Sequence, residues 1–539
     1  VNEDARRSLV GVFPAAAHAA HKRLLAALEE AFRVRFEGRG EGQLGDLDAL
    51  LQLGPGDQAE AAAALGLPAL HLLAPEASEP GELAVQELTS DGKLDRTLRG
   101  AELPDDRLGA ALTVGGDAVT AGEVLASCRG VPTWTGRGTL QRARLIPLEL
   151  GSEEALRERL RAGRSAALLP LAHFLREVSA GEAWQPPALR ASFLFDDPNL
   201  HWPSYGFVKL PALSEHAREH GYHAALATVP LDGWFAHPAA RRALRESNGA
   251  LSLLVHGNDH YGGELGRPKT AAEALAMAAQ AQRRMGSFEA RTGVAVDRVM
   301  VPPHEQCSQA TVAGLRRCGF EALAVTQPFP WLGDGERGWL TRPEGTGPLV
   351  GWHPADLADG LPVLLRHPLA GRSPSELRLR AFLGQPLVLY GHQADLLEGL
   401  DVLADAAAEV EAAGPTRWCS LGEIAATSVQ TRRRGENLEV RLLSRRALVE
   451  VPPETDRILI APFPATTGED EQLLVDGRAQ PFGEPTEVHP GAKVEVTIQA
   501  TDAVDFSSIP APRLRPLAVP RRILSEGRDR LQPLVSRVR

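Results

Sequence analysis

The chain is poor in the residues that staple or anchor a fold. Cysteine is scarce: Cys128, Cys307, Cys318 and Cys419 are scattered through 539 residues, with no CxxC pair. That spacing suits neither a disulfide framework nor a cysteine-type zinc site, and it predicts buried free thiols in a reducing compartment. No run of ~18 apolar residues occurs, so no membrane-spanning helix is expected. Positive charge is in deficit. Against 69 Asp and Glu stand 58 Lys and Arg, a net charge of −11 that argues against a nucleic-acid partner. The opening VNEDARRSLVGVFPAAAHAAHKRLL has a short apolar run preceded by acidic residues. It lacks a signal-peptide pattern, which makes the cytoplasm the expected location. The first 185 residues hold no GxGxxG, no GxxxxGK[ST] and no nucleophile elbow. Their glycine-bearing TVGGDAVTAGEV lacks phosphate-cradle spacing and reads as a turn.

What is present is an ordinary globular composition, 43% apolar and 24% charged, in a length that predicts two to four domains. Residues 1–185 alternate strand-like and helix-like stretches, among them SLVGVFPA, AHAAHKRLLAALEEAF and LPALHLLAP. The alternation predicts a doubly wound α/β accessory domain, a candidate contact for a protein partner. SAGEAWQPPALR reads as a linker. From residue 186 to 431, about seven strand–helix units over ~240 residues predict a (β/α) barrel. Residues 432–507 change to period two, in pieces such as NLEVRLL and AKVEVTIQA, and predict a small β-sandwich. Residues 508–539 form a Pro/Arg-rich tail, expected to be loosely packed or to wrap the surface.

Four of the predicted barrel strands run directly into unusual polar groups: LFDDPN, LVHGNDH, MVPPHE and LYGHQAD. In a (β/α) barrel the C-terminal strand ends converge on one mouth, so these groups are expected to meet there. Asp197, His256 and His260 offer one carboxylate and two imidazoles, a common first set of ligands for a divalent ion. Zn²⁺ is the first expectation, with Co²⁺ and Ni²⁺ as substitutes. Asp196, beside the ligand Asp197, has the chemistry of a base.

In chain order, FLFDDPN, VHGNDH, VPPHE and LYGHQ resemble the motifs of the NodB-type polysaccharide deacetylases, carbohydrate esterase family 4. The resemblance covers about residues 190–430. It implies a distorted (β/α) barrel that hydrolyses N- or O-acetyl groups of sugars with a divalent metal. It also implies Asp196 as base, Asp197, His256 and His260 as ligands, and His392 as the acid that protonates the leaving group. Asn199, His201, Trp202, Asn258, Asp259, Pro303, His304 and Glu305 fall in the surrounding loops and are expected to face substrate or support the ligands. Two departures stand out. Gly257 replaces the Ser or Thr that usually follows the first motif histidine, and Val301 stands where the family places an arginine against the base. Arg366 is a candidate replacement.

The expected activity is metal-dependent deacetylation of an acetylated sugar or glycan. Two alternatives accompany it: a catalytically inactive carbohydrate-binding or assembly protein, and a metal-dependent hydrolase of a non-sugar C–N bond.

Overall fold

The computed structural model describes residues 7–73, 80–113, 122–152, 154–180, 183–267, 270–326, 347–461, 471–501, 503–512 and 516–536. The glycine-bearing segment 114–121 lies outside them. The chain divides into two compact units. One comprises residues 1–185 with 345–353 and 373–383; the other comprises 186–344, 354–372 and 384–539.

The first unit is built on a nine-stranded sheet. Five strands run parallel, in the spatial order Val34–Gly38, Ser8–Phe13, Ala49–Leu53, Ala69–Leu72 and Leu140–Ala143. The sheet then continues as an antiparallel ladder through Val131–Arg137, Glu123–Cys128, Ala84–Leu88 and Glu102–Asp105. Its central parallel strands are covered on both faces, and every residue of Ala49–Leu53 and Ala69–Leu72 is buried, whereas the edge strand Val34–Gly38 alternates.

In the second unit seven parallel strands close on themselves. Numbered in chain order they are β1 (Arg190–Asp196), β2 (Ala224–Thr228), β3 (Leu251–His256), β4 (Val299–Val301), β5 (Ala322–Val325), β6 (Leu361–Pro368) and β7 (Leu387–Gly391). Each pairs with the next, and β7 pairs with β1, so no edge is left open. Between β3 and β4 runs a helix of 22 residues, Ala271–Thr292. Its start is fixed by a capping box, in which Thr270 and Glu273 each bond the other's backbone N–H. Its end is fixed by Gly293 at φ +65°, a left-handed cap that glycine adopts without strain.

After the barrel come two four-stranded sheets. Their inner faces share one core, with Leu438, Val440 and Ile458 from one sheet against Val449, Val494 and Val496 from the other. This is the period-two packing of a sandwich. The tail, expected to be loosely packed or to wrap the surface, carries regular structure. Ala518–Ser536 is a helix, and Arg522 on it is buried. Four cysteines lie buried and unpaired, as free thiols. Among the described residues no helix is long and apolar enough to cross a membrane.

Candidate metal centre

The barrel brings the strand-end residues together. Asp196 is the last residue of β1, and Asp197 follows in a left-handed turn at φ +68°. That reversal sends two consecutive carboxylates to different partners. His256 ends β3, and the chain then turns back so that His260 returns to the same place; the two rings are 4.9 Å apart. Glu264 builds this turn. Its buried carboxylate accepts the backbone N–H groups of Asn258, Asp259 and His260 at 2.6, 3.0 and 2.9 Å. Burial pushes the Glu264 carboxyl above its usual range, although those three N–H groups pull it down. The same packing explains Gly257, which has φ +63°. A Cβ there would lie 2.3 Å from a Glu264 oxygen and 2.6 Å from Pro303, so neither Ser nor Thr fits.

Asp197 Oδ1 lies 3.5 Å from His260 Nε2 and 3.9 Å from His256 Nε2. His256 Nδ1 is 2.9 Å from the Val301 carbonyl. A carbonyl only accepts, so Nδ1 carries the proton and Nε2 turns its lone pair toward Asp197. Burial pushes His260 down to about 4, which leaves it neutral at pH 7. Burial alone would raise the Asp197 carboxyl. The Arg522 guanidinium beside it, with the surrounding imidazoles of His256, His260 and His392 wherever they take up a proton, instead holds it far below the usual carboxylate range. Three electron-pair donors thus converge without a hydrogen bond among them. The three donor atoms all lie within 4.8 Å of one another, and one carboxylate with two imidazoles is a donor set that fits a divalent ion such as Zn²⁺.

Arg366, from β6, supplies the guanidinium that Val301 cannot. Its Nη1 donates to both oxygens of Asp196, at 2.9 and 2.7 Å. Its Nη2 donates to Glu305, and the Tyr390 ring lies 4.3 Å beneath it. Glu305 is held in turn by the Thr326 N–H at 2.8 Å. The second aspartate has its own arginine. Arg522, on the helix Ala518–Ser536, donates to Asp197 Oδ1 at 2.9 Å and to Asp232 at 3.0 and 2.8 Å. Among the described residues it donates to neither imidazole. Each member of the Asp-Asp pair therefore sits at one end of a carboxylate–arginine–carboxylate bridge.

The remaining expected residues divide. His304, at φ +57°, places its ring 5.3 Å from that of His260. His392 is exposed just after β7, its backbone N–H donating to Asp395 at 2.7 Å. Trp202 is half exposed at the mouth, with the Arg530 guanidinium 4.5 Å above its ring. Others are committed to structure. Asn199 accepts the His201 N–H at 2.9 Å, and His201 Nε2 bonds the Asp232 carbonyl at 2.7 Å. Asn258 bonds Gln280 and Arg284, and Asp259 pairs with Arg284. Pro303 is buried against Gly257. Glu264, Asp232 and Arg522 were not expected from the sequence. Asp232 was open to recognition, since it closely follows an apolar strand as Asp196 ends one.

No family model matches this chain, and no curated protein matches it. Solved structures do. A protein from Mycobacterium smegmatis assigned as a polysaccharide deacetylase is 16% identical over 45% of this chain and 92% of its own, with a TM-score of 0.29. A family 4 carbohydrate esterase from Streptomyces lividans is 13% identical over 41% and 89%, with a TM-score of 0.25. A family 4 pseudoenzyme from Bacillus anthracis is 13% identical over 43% and 68%, also with a TM-score of 0.25.

Proposed function

We propose that the barrel is a metal-dependent deacetylase that removes an N-acetyl or O-acetyl group from a sugar. The observation that carries this reading is the convergence of Asp197, His256 and His260 on one point beside a second carboxylate, Asp196, gripped at both oxygens by Arg366. Asp197, His256 and His260 would hold a divalent ion, and the chemistry it would supply there is Lewis-acid polarisation of the acetyl carbonyl and acidification of a water. Asp196 takes the proton from the attacking water. Arg366 fixes the direction of that carboxylate, the task the family gives to an arginine at the position of Val301. The His304 N–H serves as an oxyanion donor. His392 returns a proton to the departing amine or alcohol, and the exposed face of Trp202 offers a platform for a sugar ring.

The test compares acetate release from N-acetylated and O-acetylated oligosaccharides, by wild type and Asp196→Asn, with metal content measured in both. Turnover by wild type, and its loss in the variant with about one ion per chain retained, is the expected result. Undiminished turnover in Asp196→Asn removes the base assignment. A second reading, glycan binding without hydrolysis, draws on Arg522, whose hydrogen bond occupies a lone pair of the ligand oxygen of Asp197. Glycan binding by a metal-loaded protein that releases no acetate from any of these substrates selects it.

A further inference from the structure

The helix Ala518–Ser536 is amphipathic in the inverted sense. Two of its arginines, Arg522 and Arg530, face protein. Arg522 is buried on Asp197 and Asp232, and Arg530 donates to the carbonyl oxygens of Ser204 and Gly206 at 3.1 and 3.3 Å. Its first turns present apolar residues to water. Val519 is 51% exposed, Ile523 66% and Leu524 73%, with Leu517 at 63% just before the helix begins. Val519 and Ile523 are one turn apart, so they form a stripe with Leu524 at its edge. The stripe is not isolated. Asp232, the anchor of Arg522, is followed two and three residues later by Trp234 and Phe235, which are 69% and 43% exposed. The ion pair thus ties the helix to the loop that carries these two exposed aromatic side chains. Scattered single exposed apolar residues need no explanation; a grouped set of this kind does.

Charge identifies the partner. The whole chain carries −11, yet residues 513–539 contain eight arginines against Glu526 and Asp529 alone, and of the eight Arg522 and Arg530 are set against protein. Arg521 and Arg528 are exposed and bracket Ile523 and Leu524. We propose that this surface docks on an anionic lipid bilayer. The helix lies in the interfacial plane, with Val519, Ile523, Leu524 and Trp234 at the headgroup–acyl boundary and Arg521 and Arg528 among the lipid phosphates. Tryptophan is favoured at that depth. A second copy of the chain fits this face less well. Pairing the stripe with itself about a two-fold axis would set each basic flank against its own image.

The experiment is flotation of the full chain with phosphatidylcholine vesicles and with vesicles containing about 30 mol % phosphatidylglycerol. Wild type is expected to float with the anionic vesicles, to stay behind with the neutral ones, and to release as salt rises. Ile523→Ser combined with Leu524→Ser should weaken the partition by at least about tenfold. Trp234→Ala, which lies off the helix, should weaken it without touching the helix itself; circular dichroism of each variant reports that the fold is kept. Failure of wild type to float with anionic vesicles overturns the proposal. So does a folded double variant that floats as well as wild type. A dimer seen by light scattering and abolished by Ile523→Ser and Leu524→Ser would assign the stripe to self-association instead.

Discussion

Replacing Arg366 by Met tests the bridge on which the proposed base depends. Met keeps much of the aliphatic volume and removes the charge and donors. Asp196 then loses two hydrogen bonds of 2.9 and 2.7 Å in a place where its side chain is 6% exposed. Glu305 loses its partner too, but at 22% exposure it regains water and keeps the Thr326 N–H. The cost therefore falls mainly on one uncompensated buried carboxylate, about 3–5 kcal/mol. At roughly 2–4 °C per kcal/mol for a large domain, the unfolding midpoint should drop by about 6–20 °C. Thermal unfolding followed by near-ultraviolet circular dichroism measures this, at low salt and at about 0.5 M salt, because a buried pair is little screened. Asp196→Asn combined with Arg366→Met should recover much of the loss, since the stranded charge is gone. A drop worth less than about 1 kcal/mol, or one that vanishes in salt, is the behaviour of an exposed ion pair and would refute the reasoning.

Gly257→Ala should destabilise the barrel by more than about 1 kcal/mol, because it combines a left-handed φ with a Cβ 2.3 Å from Glu264. It should also lower metal content by displacing the turn that carries His260; full metal loading and an unchanged melting point would contradict the packing account. Acid should weaken the barrel through His223, which burial pushes down to about 3 while its Nδ1 lies 2.8 Å from Ser192 Oγ. Below pH ~6.5 the unfolded chain takes up a proton that the folded one refuses until about pH 3, so stability is full above pH ~6.5 and falls progressively beneath it. Between pH 7 and pH 4.5 the loss from this residue should reach roughly 2–3 kcal/mol. Urea midpoints of His223→Gln should show a flatter acid limb than wild type; parallel limbs would assign the effect elsewhere.

The barrel strands were legible because a parallel strand covered on both faces is written as an unbroken apolar run, and the polar residues at its end are then conspicuous. LFDD and LVHGNDH belong to β1 and β3, and they meet where the reading places them. Arg366 was harder to place. It lies inside an apolar strand, and no local spacing ties it to Asp196, 170 residues earlier. Glu264 resembles any loop glutamate until its three backbone bonds are seen. Arg522 had no signal at all, being one arginine among eight in a tail whose composition suggested looseness. Residues 345–353 and 373–383 group with the first unit although they lie within the barrel's stretch of sequence. No periodicity reports an excursion of that kind.

The reach of Arg522 has a consequence for biosynthesis. Asp197 is bound to a residue 325 positions further along the chain. During translation β1, the histidines of β3 and the rest of the barrel all emerge before that arginine exists. A nascent or truncated chain ending short of residue 522 would hold the three candidate ligands while Asp197 and Asp232 still lacked their shared counter-charge. The electrostatics of the centre are completed last, so an intact centre reports a chain read through at least to its tail.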